Sequence, residues 1–168
     1  LALGLDSHLG SKFALIVSEL NATCLQFFED AYYKPHPQIE LALVAGKLFS
    51  SCIDISDGLQ GDLQHILDES EVAGSIRLDA IPYSKSAICC VSPENRLLAA
   101  LFGGDDYELC FTVAEKDCGE LEFIAKELGV SITCIGGINS GEGIDYLGVD
   151  GSPIEVTAQA FQHFSARA

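Results

Sequence analysis

The sequence contains no methionine, not even at position 1. Residues 1–4 (LALG) are typical of the end of a β-strand rather than of a free amino terminus. We therefore expect the chain to be a piece of a longer protein.

Basic residues are scarce, since 9 lysines and arginines stand against 25 aspartates and glutamates, for a formal net charge of −16. So acidic a surface repels the phosphates of nucleic acids and of anionic lipids. The composition therefore argues against a nucleic-acid partner and against binding to a membrane surface. A small phosphorylated substrate remains open, because divalent cations invert the local field.

Cys-x-x-Cys motifs and long apolar runs are also missing. The seven cysteines form no Cys-x-x-Cys pair and several lie in apolar stretches. We expect buried, reduced thiols rather than disulfides or a zinc site. No apolar run approaches the roughly 18 residues of a membrane span, and no signal peptide is visible at the start. These features predict a cytoplasmic protein.

The chain does contain alternating helix and strand patterns over a length that suits a single domain, residues 1–168. The spacing of apolar residues predicts helices over 9–20, 39–49, 57–70, 94–101 and 115–128, and strands over 51–55, 75–81, 107–113 and 131–135. Asp150 and Gly151 predict a hairpin turn between 146–147 and 154–156. The fold class is therefore α/β (α+β layered), a mixed β-sheet with helices packed on it.

The most informative segment is 53–59 (IDISDGL), at the predicted end of a strand. Alternate residues of a strand share a face, so Asp54 and Ser56 point away from the apolar isoleucines beside them. Asp57 follows where a helix begins, and Gly58 allows close approach to the backbone. Such a group can hold Mg²⁺ and the phosphates that it bridges. Alternatively, Asp57 is only a helix N-cap, with Gln60 completing a capping box.

A second acidic segment, 103–109 (GGDDYEL), places two carboxylates after a flexible pair of glycines. The functional interpretation is contact between Asp105 or Asp106 and a cationic or metal-bound ligand. The alternative is a turn with solvated acids. The glycine-rich run 136–143 fits neither the dinucleotide-binding nor the Walker pattern, and we interpret it as a flexible connection.

Together these segments resemble the thiamine-monophosphate kinases. The run 53–59 is similar to the family's Ser-Asp-Gly segment, and 103–113 (GGDDYELCFTV) to its Gly-Gly-Glu-Asp-Tyr-Glu-Leu strand. The Ser-Asp-Gly element is shared with a superfamily that includes aminoimidazole ribonucleotide synthetase, selenophosphate synthetase and a hydrogenase maturation factor. The resemblance implies a C-terminal domain of the aminoimidazole ribonucleotide synthetase type, with the N-terminal ATP- and Mg²⁺-binding domain absent from this chain.

The resemblance also implies an activity and a set of site residues. The activity is ATP-dependent phosphorylation of thiamine monophosphate to thiamine diphosphate, with several Mg²⁺ ions and ATP as co-substrate, in a protein that is a homodimer at full length. Asp54 and Asp57 would bind Mg²⁺, Ser56 would contact ATP, and Asp105 and Phe161 would contact the thiamine substrate. The family usually has glutamate at position 105. No catalytic base is implied.

Two alternatives remain. This chain supplies only part of the active site, so it is expected to be inactive alone, and it could serve as a non-catalytic module that binds a ligand or a partner. It could also derive from another ATP-dependent member of the same superfamily.

Overall fold

The structure is a computed structural model that describes residues 22–156. Its helices are α1 (Ala22–Tyr33), α2 (Ile39–Ala45), α3 (Leu59–Ser70), α4 (Lys85–Cys90), α5 (Pro93–Phe102) and α6 (Cys118–Leu128). Its strands are β1 (Phe49–Asp54), β2 (Ala73–Arg77), β3 (Leu109–Val113), β4 (Gly136–Asn139) and β5 (Ile144–Leu147). The helix predicted over 9–20 and the substrate candidate Phe161 lie outside the described residues.

The described strands form two sheets. β1 and β3 are an antiparallel pair, in which Asp54 lies opposite Leu109. β2 is the centre of a three-stranded mixed sheet, antiparallel to β4 and parallel to β5. The predicted fold class, α/β with a mixed β-sheet and helices packed on it, is confirmed, although the described strands form two sheets rather than one.

The β1–β3 pair is covered by helices on both of its faces. On one side, Leu41 of α2 and Leu121 of α6 form a buried cluster that includes Phe111 at its edge. On the other side, a larger cluster joins α3, α5 and β2, and Cys110 packs against it. Phe111 and Cys110 are adjacent in β3 but pack against different clusters, because successive strand residues point to opposite faces. The antiparallel pairing places the end of β1 beside the start of β3, where the two acidic segments lie.

Several predicted elements differ from the observed ones. α1 lies where no helix was predicted, and α4 lies in a region without a predicted element. The signal for α4 is Ser84, whose hydroxyl accepts a hydrogen bond from the Ala87 N–H at 3.1 Å as an N-cap. The strand predicted over 131–135 does not form. The turn at 148–152 is confirmed by the bond from the Gly148 N–H to the Ser152 carbonyl at 2.9 Å.

The glycine-rich run is a strand rather than a flexible connection over Gly136–Asn139, since β4 pairs with β2 there. A Cβ atom at Gly136 would lie 1.8 Å from the Ser75 carbonyl oxygen. Glycine therefore permits a backbone approach that residues with side chains cannot make.

The expectation of buried, reduced cysteines is only partly correct. Cys110 and Cys118 are partly buried free thiols, but the free thiols of Cys52, Cys89 and Cys134 are exposed. Cys52 and Asp54 are both exposed and alternate along β1 with the partly buried Ile53. Cys90 is disulfide-bonded, so a reduced thiol is the wrong expectation there. Among residues 22–156, no helix is both long and apolar enough to cross a membrane.

Candidate active site

The end of β1 presents the first predicted site residue to solvent. Burial alternates along the strand, so that Ile53 is partly buried while Cys52 and Asp54 on either side are exposed. Ile53 and Ile55 pack against the core cluster of α3 and α5. The predicted separation of apolar and acidic faces is therefore observed at Asp54.

The turn after β1 is built on Gly58, which is the N-cap of α3 with a φ of +102°. A side chain is strained at this φ, and a Cβ atom would also lie 2.8 Å from the Leu101 carbonyl oxygen. The backbone of Gly58 therefore packs directly against the end of α5. No side chain caps α3 by a hydrogen bond. The capping-box alternative is wrong for Asp57, and Gln60 instead accepts a 2.7 Å hydrogen bond from the Tyr146 hydroxyl.

The buried carboxylate of Asp62 accepts hydrogen bonds from the backbone of the turn at Ser56 and Asp57. This role was not predicted from the sequence. Asp62 is 2% exposed, and its Oδ2 accepts hydrogen bonds from the N–H groups of Ser56 at 2.8 Å and Asp57 at 3.0 Å. The signal in the sequence is an acidic residue three positions after Leu59 on the apolar face of α3. Because Asp62 occupies these two N–H groups, they do not serve as phosphate donors.

The second acidic segment lies directly against this turn. The Asp105 N–H donates to the Ser56 carbonyl at 3.0 Å, and the Tyr107 N–H donates to the Ile55 carbonyl at 2.8 Å. The Ile55 N–H in turn donates to the Glu108 carbonyl at 2.8 Å. A Cβ atom at Gly104 would lie 2.1 Å from the Ser56 carbonyl oxygen. The two predicted segments, 54–58 and 103–108, are therefore joined through their backbones into one unit, which we call the acidic junction.

The backbone of the acidic junction is left-handed at two residues with side chains, with a φ of +63° at Asp105 and +52° at Tyr107. Such conformations are uncommon outside glycine and cost free energy. The Tyr107 hydroxyl donates a 3.1 Å hydrogen bond to Asp105 Oδ1. This hydrogen bond, with the negative charges of Asp105 and Asp54, raises the pKa of Tyr107. The hydrogen bond from the phenol fixes the orientation of the Asp105 carboxylate.

The carboxylates of Asp54, Asp57 and Asp105 form no ion pair with a basic residue within residues 22–156. Within the described part of the chain, the ion pairs are Lys34–Asp30, Lys47–Glu120 and Arg77–Asp79. Asp54 and Tyr107 also line a groove of about 300 Å³, whose other wall is apolar and includes Leu43 of α2. Over residues 22–156, no group of three or more His, Cys, Asp or Glu side chains is arranged to hold a metal ion by itself. Residues 22–156 would therefore supply only part of the ligand set of a cation bound here.

Comparisons of sequence and of structure both find similarity to thiamine-monophosphate kinases. The chain is 39% identical over 135 residues to the thiamine-monophosphate kinase of Escherichia coli strain K12, a match that covers 80% of this chain and 41% of that protein. The crystal structure of thiamine-monophosphate kinase from Stenotrophomonas maltophilia K279a matches with a TM-score of 0.75 at 31% identity, covering 88% of this chain and 46% of that one. No family model matches the chain.

A third match is the structure of AaThiL complexed with AMPPCP and TMP. Its TM-score is 0.67 at 26% identity, and it covers 90% of this chain and 46% of that chain. The chain thus shares its layered α/β fold with these structures. More particularly, the chain is related to the thiamine-monophosphate kinases, as the sequence resemblance indicates. It spans less than half the length of the relatives that it matches.

Proposed function

We propose that this chain supplies the C-terminal part of the active site of an ATP-dependent kinase that converts thiamine monophosphate to thiamine diphosphate. The observation that carries the proposal is the acidic junction, in which two segments that are distant in sequence, 54–58 and 103–108, are joined by backbone hydrogen bonds. Both segments are the ones by which the sequence resembles the kinase family. The 39% identity to a thiamine-monophosphate kinase and the relative that binds AMPPCP and TMP support the same conclusion.

The chemistry requires little acid–base help from the protein. The acceptor is a phosphate monoester with a second pKa of about 6, so it is largely ionised near neutrality. The protein must instead bring two mutually repelling phosphate groups into line. A set of carboxylates without an adjacent nucleophile and base suits this direct transfer, and we assign no catalytic base.

Asp54 and Asp57 are the residues that would hold Mg²⁺. Both are exposed, and neither forms an ion pair within residues 22–156. Magnesium typically takes one or two protein carboxylates and completes its six ligands with phosphate and water. The donor set therefore fits a magnesium site that is completed by the nucleotide. When bound, Mg²⁺ ions would neutralise phosphate charge.

The remaining contacts divide between the two substrates. Ser56 would contact ATP through its hydroxyl, because its N–H already donates to Asp62. Asp105 would lie against the cationic thiazolium of thiamine monophosphate, in the orientation that Tyr107 gives it. Phe161 would add an apolar contact to the same substrate.

The complete protein would contain a preceding ATP- and Mg²⁺-binding domain and form a homodimer. Residues 1–168 would form one domain of it. The relatives support a longer protein, because the chain covers 41% of the kinase of E. coli strain K12. Its substrates are small phosphorylated metabolites, so we place it in the cytoplasm, with no nucleic-acid or membrane partner.

The proposal is tested by assaying the full-length protein and the 168-residue chain separately for thiamine diphosphate formation from thiamine monophosphate, ATP and Mg²⁺. We expect product from the full-length protein and none from the chain alone. A full-length protein that forms no thiamine diphosphate but binds ATP would favour another member of the superfamily. If it binds neither substrate, the chain belongs to a non-catalytic module.

A further inference from the structure

Asp62 is the one charged side chain that is fully buried within the described part of the chain, at 2% exposure. It lies in the first turn of α3, among Leu59, Leu63 and Ile66, which all face the core. No ion pair involves it within residues 22–156. A buried carboxylate without a cationic partner is costly unless hydrogen bonds compensate it. Hydrogen bonds must therefore offset the cost of burying the Asp62 carboxylate on this face of α3.

The compensation comes from the turn that carries the candidate Mg²⁺ and ATP ligands. One oxygen, Oδ2, accepts from both the Ser56 N–H at 2.8 Å and the Asp57 N–H at 3.0 Å. Hydrogen bonds to an ionised acceptor are about twice as strong as those between neutral groups. Asp62 also lies in the positive field of the α3 amino terminus. The charge of Asp62 and the shape of the turn thus stabilise each other.

The peptide group between Ser56 and Asp57 is also hydrogen-bonded to the 103–108 loop, through its carbonyl oxygen. The Ser56 carbonyl accepts from the Asp105 N–H at 3.0 Å, while the Ser56 N–H is held by Asp62. With both its N–H and its carbonyl bonded, Ser56 is fixed in orientation. The directions in which the Ser56 hydroxyl and the Asp57 carboxylate leave the backbone are fixed with it.

We propose that Asp62 is a positioning residue for the magnesium–nucleotide site. It holds the Ser56–Asp57 turn so that the Asp57 carboxylate and the Ser56 hydroxyl face the same ligand. This inference rests on the proposed function for the identity of that ligand. Partners that orient metal ligands from behind typically change metal affinity or activity by 10- to 100-fold when they are removed.

The test uses the full-length protein with Asp62→Asn, which preserves the size of the side chain but removes its charge. The remaining carbonyl oxygen can accept from the Ser56 and Asp57 N–H groups only as a neutral and therefore weaker acceptor. The matched control is Asp68→Asn, an exposed aspartate on the same helix that accepts from the Gln64 side chain. Binding of Mg²⁺·AMPPCP is measured by calorimetry, and the Mg²⁺ dependence of the rate is measured with thiamine monophosphate and ATP. Urea unfolding reports on the stability of each variant.

We expect Asp62→Asn to weaken Mg²⁺·AMPPCP binding and to raise the Mg²⁺ concentration for half-maximal rate, each by about tenfold. KM for thiamine monophosphate should change by less than about twofold, and Asp68→Asn should behave like the parent. A variant that is less stable but has unchanged Mg²⁺ dependence and nucleotide binding would show that Asp62 only supports the fold.

A second measurement covers the case in which the parent has no kinase activity. In the full-length protein, exchange of the Ser56 and Asp57 amide protons is followed by NMR with and without Mg²⁺·AMPPCP. We expect the parent to protect both protons and Asp62→Asn to lose protection by about tenfold or more. If the parent binds Mg²⁺·AMPPCP without transferring phosphate, the proposed reaction fails while the positioning role is still tested by affinity. Equal affinity in parent and variant overturns the positioning role.

Discussion

The hydroxyl of Tyr107 donates a hydrogen bond to Oδ1 of Asp105, 3.1 Å away, while both residues have left-handed backbone conformations. Two uncommon conformations within three residues point to a loop whose shape is imposed by its surroundings. Those surroundings are the backbone bonds to Ser56 and Ile55. The pair therefore orients a carboxylate at the edge of the candidate site, and its two members make separate, testable contributions.

Removing the charge of Asp105 should weaken binding of the cationic substrate. Asp105→Asn is preferable to alanine, because asparagine tolerates the left-handed backbone. In the full-length protein, we expect KM for thiamine monophosphate to rise about 5- to 150-fold, which corresponds to about 1–3 kcal/mol. KM for ATP should hardly change, and Asp105→Glu should be tolerated. Asp145→Asn, at an exposed position on β5, is the control; an unchanged KM in Asp105→Asn would make Asp105 a solvated turn residue.

Tyr107→Phe should act through Asp105 rather than directly. Loss of the hydroxyl frees the carboxylate, so KM for thiamine monophosphate should rise by less than it does in Asp105→Asn. In a double-mutant cycle, Tyr107→Phe should add almost nothing once Asp105 is asparagine, because the two residues share one interaction. Fully additive effects would separate Tyr107 from Asp105.

Asp57→Asn should separate activity from stability. Asp57 is exposed and does not cap α3, so the free energy of unfolding should change by less than about 0.5 kcal/mol. Kinase activity of the full-length protein should fall by about tenfold or more at a fixed Mg²⁺ concentration, because the variant lacks the carboxylate that we propose as a metal ligand. Steady-state kinetics and urea unfolding of the same preparation provide the comparison. Parental activity at every Mg²⁺ concentration would remove Asp57 from the metal site.

Gly104→Ala should break the acidic junction. The added Cβ atom would lie 2.1 Å from the Ser56 carbonyl oxygen, so the two segments must move apart. We expect a loss of about 1–3 kcal/mol in the free energy of unfolding, measured with urea, together with reduced kinase activity. Gly119→Ala is the matched control in α6, where a Cβ atom meets no other atom within 4 Å. Alanine there should be neutral or stabilising by up to about 1 kcal/mol. Equal stability of the two variants would contradict the close contact.

Tyr146 predicts a pH dependence of stability. Burial raises the pKa of its hydroxyl from 10.0 to about 12. The folded chain therefore holds this proton more tightly than the unfolded chain. Its contribution to stability is complete below about pH 10 and is lost as the pH rises through about 12.

Tyr146→Phe measures this contribution. Between about pH 8 and pH 11, the parent should lose roughly 1 kcal/mol more than the variant in urea unfolding, because partial contact with solvent moderates the effect. Near neutrality the variant should also lack the hydrogen bond to Gln60, at a cost of about 1 kcal/mol. Tyr33→Phe, at a tyrosine that is 69% exposed, is the control. Identical pH profiles for parent and Tyr146→Phe would contradict the raised pKa.

The sequence by itself was sufficient for the local features of the site. Ile53 and Asp54 point to opposite faces because strand residues alternate, and α3 follows because its apolar residues recur at helical spacing. The choice of Asp54, Ser56, Asp57 and Asp105 as candidates also follows from residue chemistry and family resemblance. The roles of these residues stay predictions, to be decided by the kinetic experiments above.

Tertiary structure alone decided what surrounds these residues. Asp57 does not cap α3 because Gly58, with a φ of +102° and packed against the end of α5, occupies the N-cap position. The strand at Gly136 exists because β2 provides a partner, whereas in 131–135 the ladder with β2 reaches only the Ile135 carbonyl, which accepts from the Arg77 N–H. The contact between Ser56 and Asp105 joins residues 49 positions apart, and Asp62 is buried against a turn behind it. Such contacts depend on how the helices and sheets pack against each other. The pattern of neighbouring residues along the sequence does not indicate which distant residues will be brought together.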